Sequence, residues 1–191
     1  MRGVVVRGGA PALEEVPRPE LGAGGDVLIR VEVSAWNGLD AVRMRTGADL
    51  PPGIECSGTV VAVGDRVRDL APGDPVIGLV GSGALSEFVV APRETLLRRP
   101  GWMPAEVAGG VTEMFAIAMD AVEQLAVTPG ELAVVRGANG GIGNGIVQLL
   151  RVRGVRSVGI VREIRPTLPQ ADETASGGGC PGGGAGAHSG R

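Results

Sequence analysis

The first hundred residues alternate short apolar runs with glycine and proline turns. Runs rich in Val and Ile recur at roughly ten-residue spacing, as in "RGVVVRG", "DVLIRVEVSAW", "CSGTVVAVG" and "GALSEFVVAP". Their length and partial alternation are typical of half-buried strands. One helix is predicted among them over "GLDAVRMRTG", closed by Gly47. The pattern therefore predicts a β-sandwich or a partly open barrel.

The pattern changes near Met103. "MPAEVAGGVTEMFAIAMDAVEQLAV" carries apolar residues at helical spacing and ends at a Thr-Pro-Gly turn. The strand "LAVVRG", a glycine loop, the helix "IGNGIVQLLRVRG" and the strand "VRSVGIV" then make one βαβ unit. After Val161 the period is lost, and the end of the chain is rich in glycine. We expect a β domain at 1–102, a bridging helix and half of a dinucleotide-binding domain at 103–166, and a disordered tail at 167–191.

Composition narrows the range of partners. The chain is 43% hydrophobic and 20% charged, with a net charge of −3, so no basic surface favours nucleic acid or an anionic membrane. Its apolar runs are too short to cross a bilayer. Neither a hydrophobic signal core nor a serine-rich transit segment opens the chain. We expect a cytoplasmic protein that takes a small-molecule substrate and binds neither nucleic acid nor membrane.

The chain has few side chains that could bind a metal or act as a general acid. Cys56, Cys180 and His188 are too few for a disulfide framework or a zinc site, so no metal is expected. Cys56 is interpreted as a buried small residue without an electropositive neighbour. All 18 basic residues are arginine and tyrosine is absent, so no phenol of this chain can act as a general acid.

The glycine loop between strand and helix has the layout of a phosphate cradle. Glycine permits the sharp turn and the close approach of a pyrophosphate, and the helix N-terminus offers unpaired N–H groups and a positive dipole. Gly141 and Gly143 fit the G-x-G part of the dinucleotide fingerprint, but Ile146 stands at its third position. A βα turn without a ligand is the alternative. The candidate cofactor-binding residues are Ala138, Asn139, Gly140, Gly141, Ile142 and Gly143.

The segment after the second strand bears on the choice of cofactor. Arg162 follows Val161 directly, and Arg165 is close behind. Arginine at this position holds the 2′-phosphate of NADPH, whereas an acid holds the ribose hydroxyl of NADH. Arg162 and Arg165 therefore favour NADPH, Glu163 keeps NADH open, and a solvated arginine pair is the alternative.

Several segments in order resemble the medium-chain dehydrogenase/reductase superfamily, in its zinc-independent quinone oxidoreductase and enoyl reductase branch. They are the Asn-x-x-Asp pattern at Asn37 and Asp40, "PPGIECSGTVVAVGDRV", "GALSEFVVAP" and "VVRGANGGIGNGIVQLL". The resemblance implies an α/β plus β fold, with a GroES-like β-rich N-terminal domain followed by a partial Rossmann coenzyme domain. "VTEMFAIAMDAVEQLAVTPGE" and "GIVREIRP" look most like the trans-2-enoyl-CoA reductase group.

The resemblance also implies an activity and site residues. It implies NADPH-dependent hydride transfer to a 2-enoyl thioester, an enone or a quinone. Asn37 becomes a candidate polar contact to nicotinamide or substrate, with a turn-forming asparagine as the alternative. Zinc members carry histidine where this chain has Ile54, which cannot bind a metal. Enoyl reductases use a tyrosine after the first helix, where this chain offers only Thr46 as a weak catalytic candidate.

The family's coenzyme domain has a second half that has no counterpart in these 191 residues. The sequence therefore indicates an incomplete oxidoreductase, and the alternative is a catalytically inactive remnant that acts as a fold or interaction module. The family implies a homodimer. Mitochondrial location is a further possibility by family analogy.

Overall fold

The computed structural model describes residues 1–22, 24–47, 50–164 and 171–176. Contacts divide the chain into two compact units, Met1–Glu113 and Met114–Arg191, which are described separately below. Arg165, Cys180 and His188 lie outside the described residues. In the described part, no helix is both long and apolar enough to cross a membrane.

The first unit opens with a two-stranded hairpin. Strand β1 (Arg2–Arg7) pairs antiparallel with β2 (Ala10–Glu15), a strand that the apolar pattern does not predict. The turn between them uses Gly8 and Gly9, with φ of 58° and 80°. A Gly-Gly pair after an apolar run is a recognised hairpin signal, since both central residues need positive φ. That dipeptide could therefore have revealed β2.

A five-stranded antiparallel sheet forms the body of the first unit. Its order is β6-β3-β4-β5-β7. The strands are β3 (Asp26–Ser34), β4 (Glu55–Val63), β5 (Pro75–Leu79), β6 (Phe88–Pro92) and β7 (Leu96–Arg98). A single 3₁₀ turn, Arg93–Thr95, joins β6 to β7. Buried side chains of this sheet and of the loops between its strands form one core: Val27, Ile29, Cys56, Val60, Val67, Leu70, Val76, Ala84, Val89, Ala91 and Leu96.

One predicted helix follows its local signals, and a second is interrupted where packing requires it. Helix α1 (Gly38–Thr46) ends where predicted, at Gly47 in the left-handed conformation (φ 71°). The single helix expected after Met103 is instead two, α2 (Ala105–Ala108) and α3 (Thr112–Leu125). A Cβ at Gly109, between them, would overlap the Val33 side chain of β3. The break therefore lies where the chain passes close to the sheet.

The second unit contains the predicted βαβ arrangement. Strand β8 (Leu132–Arg136), helix α4 (Gly141–Val152) and strand β9 (Arg156–Val161) follow in order, and the two strands pair in parallel. One face of the sheet packs on the helices. The core of this unit comprises Val122, Val135, Ala138, Val147, Leu150, Val155, Val161 and Ala171.

A third strand joins this sheet. Strand β10 (Glu173–Ser176) pairs in parallel with β9, so the order is β10-β9-β8. The backbone N–H of Ser157 donates to the Asp172 carboxylate at 2.6 Å, and Arg156 pairs with Glu173 at 3.0 Å. The structure thus differs at these residues from the disorder expected over 167–191. The pairing is made by contacts to β9 rather than by any apolar period of the segment itself.

Candidate functional site

The glycine loop turns directly from β8 into α4. Gly137 adopts a positive φ of 75°, and its N–H donates to the Ile160 carbonyl at 2.7 Å. The Gly140 N–H then donates back to the Gly137 carbonyl at 2.8 Å. Gly140 is the N-cap of α4 and has no side chain to cap the helix. The first-turn N–H groups of α4 therefore lie beside the carboxyl end of β8 without a side-chain cap, which suits a phosphate.

Packing also constrains the small residues of the loop. A Cβ at Gly143 would overlap the carbonyl oxygen of Gly137, and one at Gly141 would overlap the Met114 sulfur. Ala138 is 5% exposed and belongs to the core of the unit. A Cβ at Gly159 would lie 2.9 Å from the Cβ of Ala138. Glycine at 143 therefore allows α4 to close on the loop, and glycine at 141 allows it to approach Met114 of α3, whether or not a ligand is bound.

The remaining predicted cofactor residues differ in their surroundings. Asn139 donates from Nδ2 to the Glu163 carbonyl at 2.5 Å, which ties the loop to the segment after β9. Ile142 is 37% exposed. Arg162 is exposed, and within the described residues its guanidinium has no hydrogen-bond or ion-pair partner. Arg165 lies outside the described residues, so its predicted role has no structural account here.

A second cluster surrounds Asn37 in the first unit. Asn37 is the N-cap of α1. The fully buried Asp40 accepts from the Asn37 backbone N–H at 2.9 Å and from the Gly53 N–H at 2.8 Å. The fully buried Glu55 accepts from Asn37 Nδ2 at 2.9 Å and from the Glu113 N–H at 2.8 Å. Asn37 is thereby held through both its backbone and its side chain.

The cluster groups several acidic side chains, and burial together with their charges raises the pKa values of their neighbours. Burial, followed by the charges of Glu55 and Asp40, raises the pKa of Glu113. Burial, followed by the charge of Glu55, raises the pKa of Cys56 to about 12. Cys56 is 1% exposed, which confirms the sequence interpretation of a buried small residue. A thiol in this environment stays protonated and is a poor nucleophile.

Thr46 and Asn37 are not brought together. They lie at opposite ends of the nine-residue helix α1, which separates their backbones by ~13 Å. The Thr46 hydroxyl is exposed and lies within bonding distance of the Val42 carbonyl (3.0 Å) and the Arg43 carbonyl (3.2 Å) of its own helix. Its proton is already donated within the helix. Trp36, which precedes Asn37, is 47% exposed.

From the sequence, no structural role was assigned to Asp40 or Glu113 of the Asn37 cluster. The capping box between Asn37 and Asp40 follows from their three-residue spacing, which a search for helix starts could have used. Nothing in the sequence links Glu113 to Glu55, 58 residues away. Among the described residues no three His, Cys, Asp or Glu side chains are grouped to hold a metal.

Comparison with known proteins finds a family match within the first unit and relatives along most of the chain. Residues 23–101 match the alcohol dehydrogenase GroES-like domain. The chain is 41% identical over 151 residues to a pikromycin polyketide synthase component of Streptomyces venezuelae, covering 76% of this chain and 4% of that protein. It is 32% identical over 152 residues to a probable quinone oxidoreductase of Schizosaccharomyces pombe, covering 76% and 45%.

The fold extends this likeness beyond the first unit. A mycobacterial protein solved in complex with NADPH shares the fold with a TM-score of 0.77 at 22% identity, covering 92% of this chain and 58% of that one. The chain thus spans about half the length, or less, of these relatives. A GroES-like domain followed by a partial Rossmann-like parallel sheet confirms the expected fold class. These matches confirm the resemblance to the medium-chain dehydrogenase/reductase superfamily, with quinone oxidoreductases among the relatives.

Proposed function

We propose that this chain belongs to an NADPH-dependent oxidoreductase that reduces an activated double bond or a quinone. The observation that carries the proposal is the uncapped N-terminus of α4 behind a glycine turn, in a chain related to quinone oxidoreductases. The acceptor is a 2-enoyl thioester, an enone or a quinone. The nicotinamide would supply the hydride, and the residues of this chain would bind and orient the reactants.

The cofactor's phosphates are assigned to the loop from Ala138 to Gly143. The N–H groups at the start of α4 and its dipole favour a pyrophosphate. Arg162 supports NADPH, because a guanidinium at the carboxyl end of β9 that has no partner among the described residues can grip a 2′-phosphate in a bidentate fork. Arg165 has the same proposed role. NADH remains the second candidate, with the exposed Glu163 as its ribose contact.

Asn37 is proposed as the polar ligand contact of the first unit. Its side-chain amide donates to the buried Glu55 and its backbone N–H donates to the buried Asp40, which gives the residue the fixed orientation that a recognition group needs. Thr46 is the weaker candidate, since its proton is already donated to its own helix. The homodimer and the cytoplasmic location stay predictions.

Cofactor titration of the purified chain tests the proposal. Binding of NADPH and NADH is followed by the fluorescence of the reduced nicotinamide. Arg162→Ala should weaken the affinity for NADPH by about tenfold or more, because a charge-assisted bond to the 2′-phosphate is lost. The affinity for NADH should stay unchanged. Arg156→Ala is the matched control, as Arg156 lies at the opposite end of the same strand.

A carboxylate in the cradle provides the second variant. Gly141→Asp should abolish binding of both cofactors through repulsion of the phosphates. Absence of saturable NADPH binding by the folded chain would overturn the proposal. Equal losses in Arg162→Ala and Arg156→Ala would remove Arg162 from the site. Turnover is then measured as NADPH oxidation with 1,4-benzoquinone and with an enone.

A further inference from the structure

Two short motifs of the first unit hold each other by hydrogen bonds. One runs from Asn37 to Asp40 and opens α1, and the other, Pro52–Glu55, leads into β4. Asp40 accepts from the Gly53 N–H, and Glu55 accepts from Asn37 Nδ2. Gly53 has a φ of 96°, and a Cβ there would overlap the backbone of Ala84 and Leu85. The geometry of the second motif is therefore as constrained as that of the helix cap.

Glu55 is fully buried, and no cation pairs with it in the described part of the chain. Removing a carboxylate from water is unfavourable unless hydrogen bonds replace the lost hydration. Here the two oxygens face two donors, Asn37 Nδ2 and the Glu113 N–H at the start of α3. A glutamine could accept from only one of them, because its other terminal atom is itself a donor. The pair of donors explains why a carboxylate is present.

The carboxylate also decides which end of the Asn37 amide is free. Because Nδ2 donates to Glu55, Oδ1 lies on the opposite side of the planar amide. Oδ1 has two acceptor positions, and the cap of α1 uses at most one of them. Asn37 is half-buried between Trp36 and Gly38, which are both exposed. A ligand that meets Asn37 from this side therefore meets a hydrogen-bond acceptor.

We propose that Glu55 is a positioning residue that sets the polarity of the Asn37 amide, so that Asn37 recognises an N–H or O–H donor on its ligand. The recognition step rests on the function proposed above, whereas the orientation of the amide does not. Glu55→Gln reverses the polarity. The introduced glutamine accepts from the Glu113 N–H and donates to Asn37, whose amide then turns and presents its NH₂ group outward.

The side-chain amide of Asn37 reports this directly by NMR. The chain has three asparagines, so selective ¹⁵N-asparagine labelling gives three side-chain NH₂ signals, assigned by substitution. In the unaltered protein the Asn37 signal should show slow solvent exchange and one downfield proton, as expected for a charge-assisted bond. Glu55→Gln should remove both features and raise the exchange rate about tenfold or more. A fast-exchanging, unshifted Asn37 signal in the unaltered protein would overturn the proposal even if Glu55→Gln fails to fold.

A reciprocal swap separates positioning from capping of α3. In the double variant N37D/E55Q, the introduced glutamine donates to the introduced aspartate and still accepts from the Glu113 N–H, while the aspartate presents an oxygen outward. Asn37→Asp alone would set a carboxylate against Glu55 and destabilise the protein, since two acceptors would face each other. The double variant should recover the melting temperature lost in Asn37→Asp. Additive losses in the double variant would contradict a polarity role.

Two small probes test the ligand side, nicotinamide with its donor amide and 1,4-benzoquinone with acceptor atoms only. Nicotinamide should shift the backbone N–H signals around position 37 in the unaltered protein and in the double variant, and should do so at least tenfold more weakly in Glu55→Gln. An equal nicotinamide response in all three proteins, or none in the unaltered one, would overturn recognition through Asn37. Turnover of NADPH with 1,4-benzoquinone is measured in parallel. A fixed amide without turnover would refute the proposed function while leaving the positioning role of Glu55 intact.

Discussion

At the scale of single residues, burial changes the chemistry of side chains that look ordinary in sequence. Asp40 and Glu55 are fully buried and accept hydrogen bonds from Asn37, and Cys56 follows Glu55 directly on β4. An exposed position for any of them would have made it a solvated acid or a reactive thiol. Their common environment instead makes the acids structural acceptors and the thiol inert.

Cys56 should resist alkylation in the folded protein. Its pKa of about 12 leaves almost no thiolate near neutral pH, and it is 1% exposed. In a Cys180→Ser background, iodoacetamide should label Cys56 only after denaturation, as measured by intact mass. Labelling of the folded chain at the rate of a free thiol would contradict the buried environment.

Glu113 should make the first unit less stable as the pH rises. Its pKa is raised above the ordinary value of 4.5, so the folded state holds the proton more tightly than the unfolded state. The free energy of unfolding therefore falls as the pH rises from about 4.5 through the raised folded value. Glu113→Gln should abolish this loss while keeping the backbone N–H that bonds to Glu55.

Urea unfolding at about pH 4 and about pH 7.5 measures the effect of Glu113. The midpoint of Glu113→Gln should exceed that of the parent protein at the higher pH and match it at the lower one. The exposed Glu106 of α2 is the matched control, and Glu106→Gln should change neither midpoint. A Glu113→Gln midpoint below the parent at the higher pH would contradict the assignment.

At the scale of elements, glycine residues mark the positions where helices begin, end and are interrupted. Gly140 stands at the N-cap position of α4, Gly109 lies at the gap before α3, and Gly47 follows the last residue of α1. The end of α1 follows from local backbone preference alone, and the sequence predicts it. The gap at Gly109 depends on the proximity of Val33, which no local period encodes.

Gly143→Ala tests how tightly α4 closes on its loop. Alanine is the better helix former, so an open site would gain stability. The added Cβ would instead overlap the backbone of Gly137 and Ala138, which cannot move without opening the turn. We expect a loss of about 1–3 kcal/mol in the free energy of unfolding, with weaker NADPH binding.

Gly141→Ala is the control on the same helix. The Cβ there meets the flexible side chain of Met114 instead of backbone, so the loss should be smaller. Thermal unfolding followed by circular dichroism compares the two variants. A stabilised Gly143→Ala protein would show that the loop is looser than the structure indicates.

At the scale of the whole molecule, the sheet of the second unit has an apolar face that stays in contact with solvent. Leu132 and Val134 of β8 are 56% and 65% exposed, and Ile160 of β9 is 41% exposed. Within the described residues β8 pairs on one side only. An open edge with an apolar face favours association between chains.

Val134→Lys should reduce aggregation of the purified chain without unfolding it. The substitution adds a charge to the exposed face of an edge strand, where a surface change costs within about 0.5 kcal/mol. Light scattering at rising protein concentration measures the effect. The neighbouring Val135 is 6% exposed, and Val135→Lys should unfold the unit. Unchanged scattering by Val134→Lys would exclude this face as the source of association.

The sequence by itself determined the short-range features of this protein. Apolar periods, glycine turns and the order of motifs predicted β1, β3 to β6, α1, the βαβ unit and the family, because these depend on neighbours within a few residues. Tertiary structure alone decided the burial of Glu55, its bond to Glu113 and the pairing of β10 with β9. These join residues 58 and about 15 positions apart, and their free energy comes from hydrogen bonds and packing that exist only once the chain has folded.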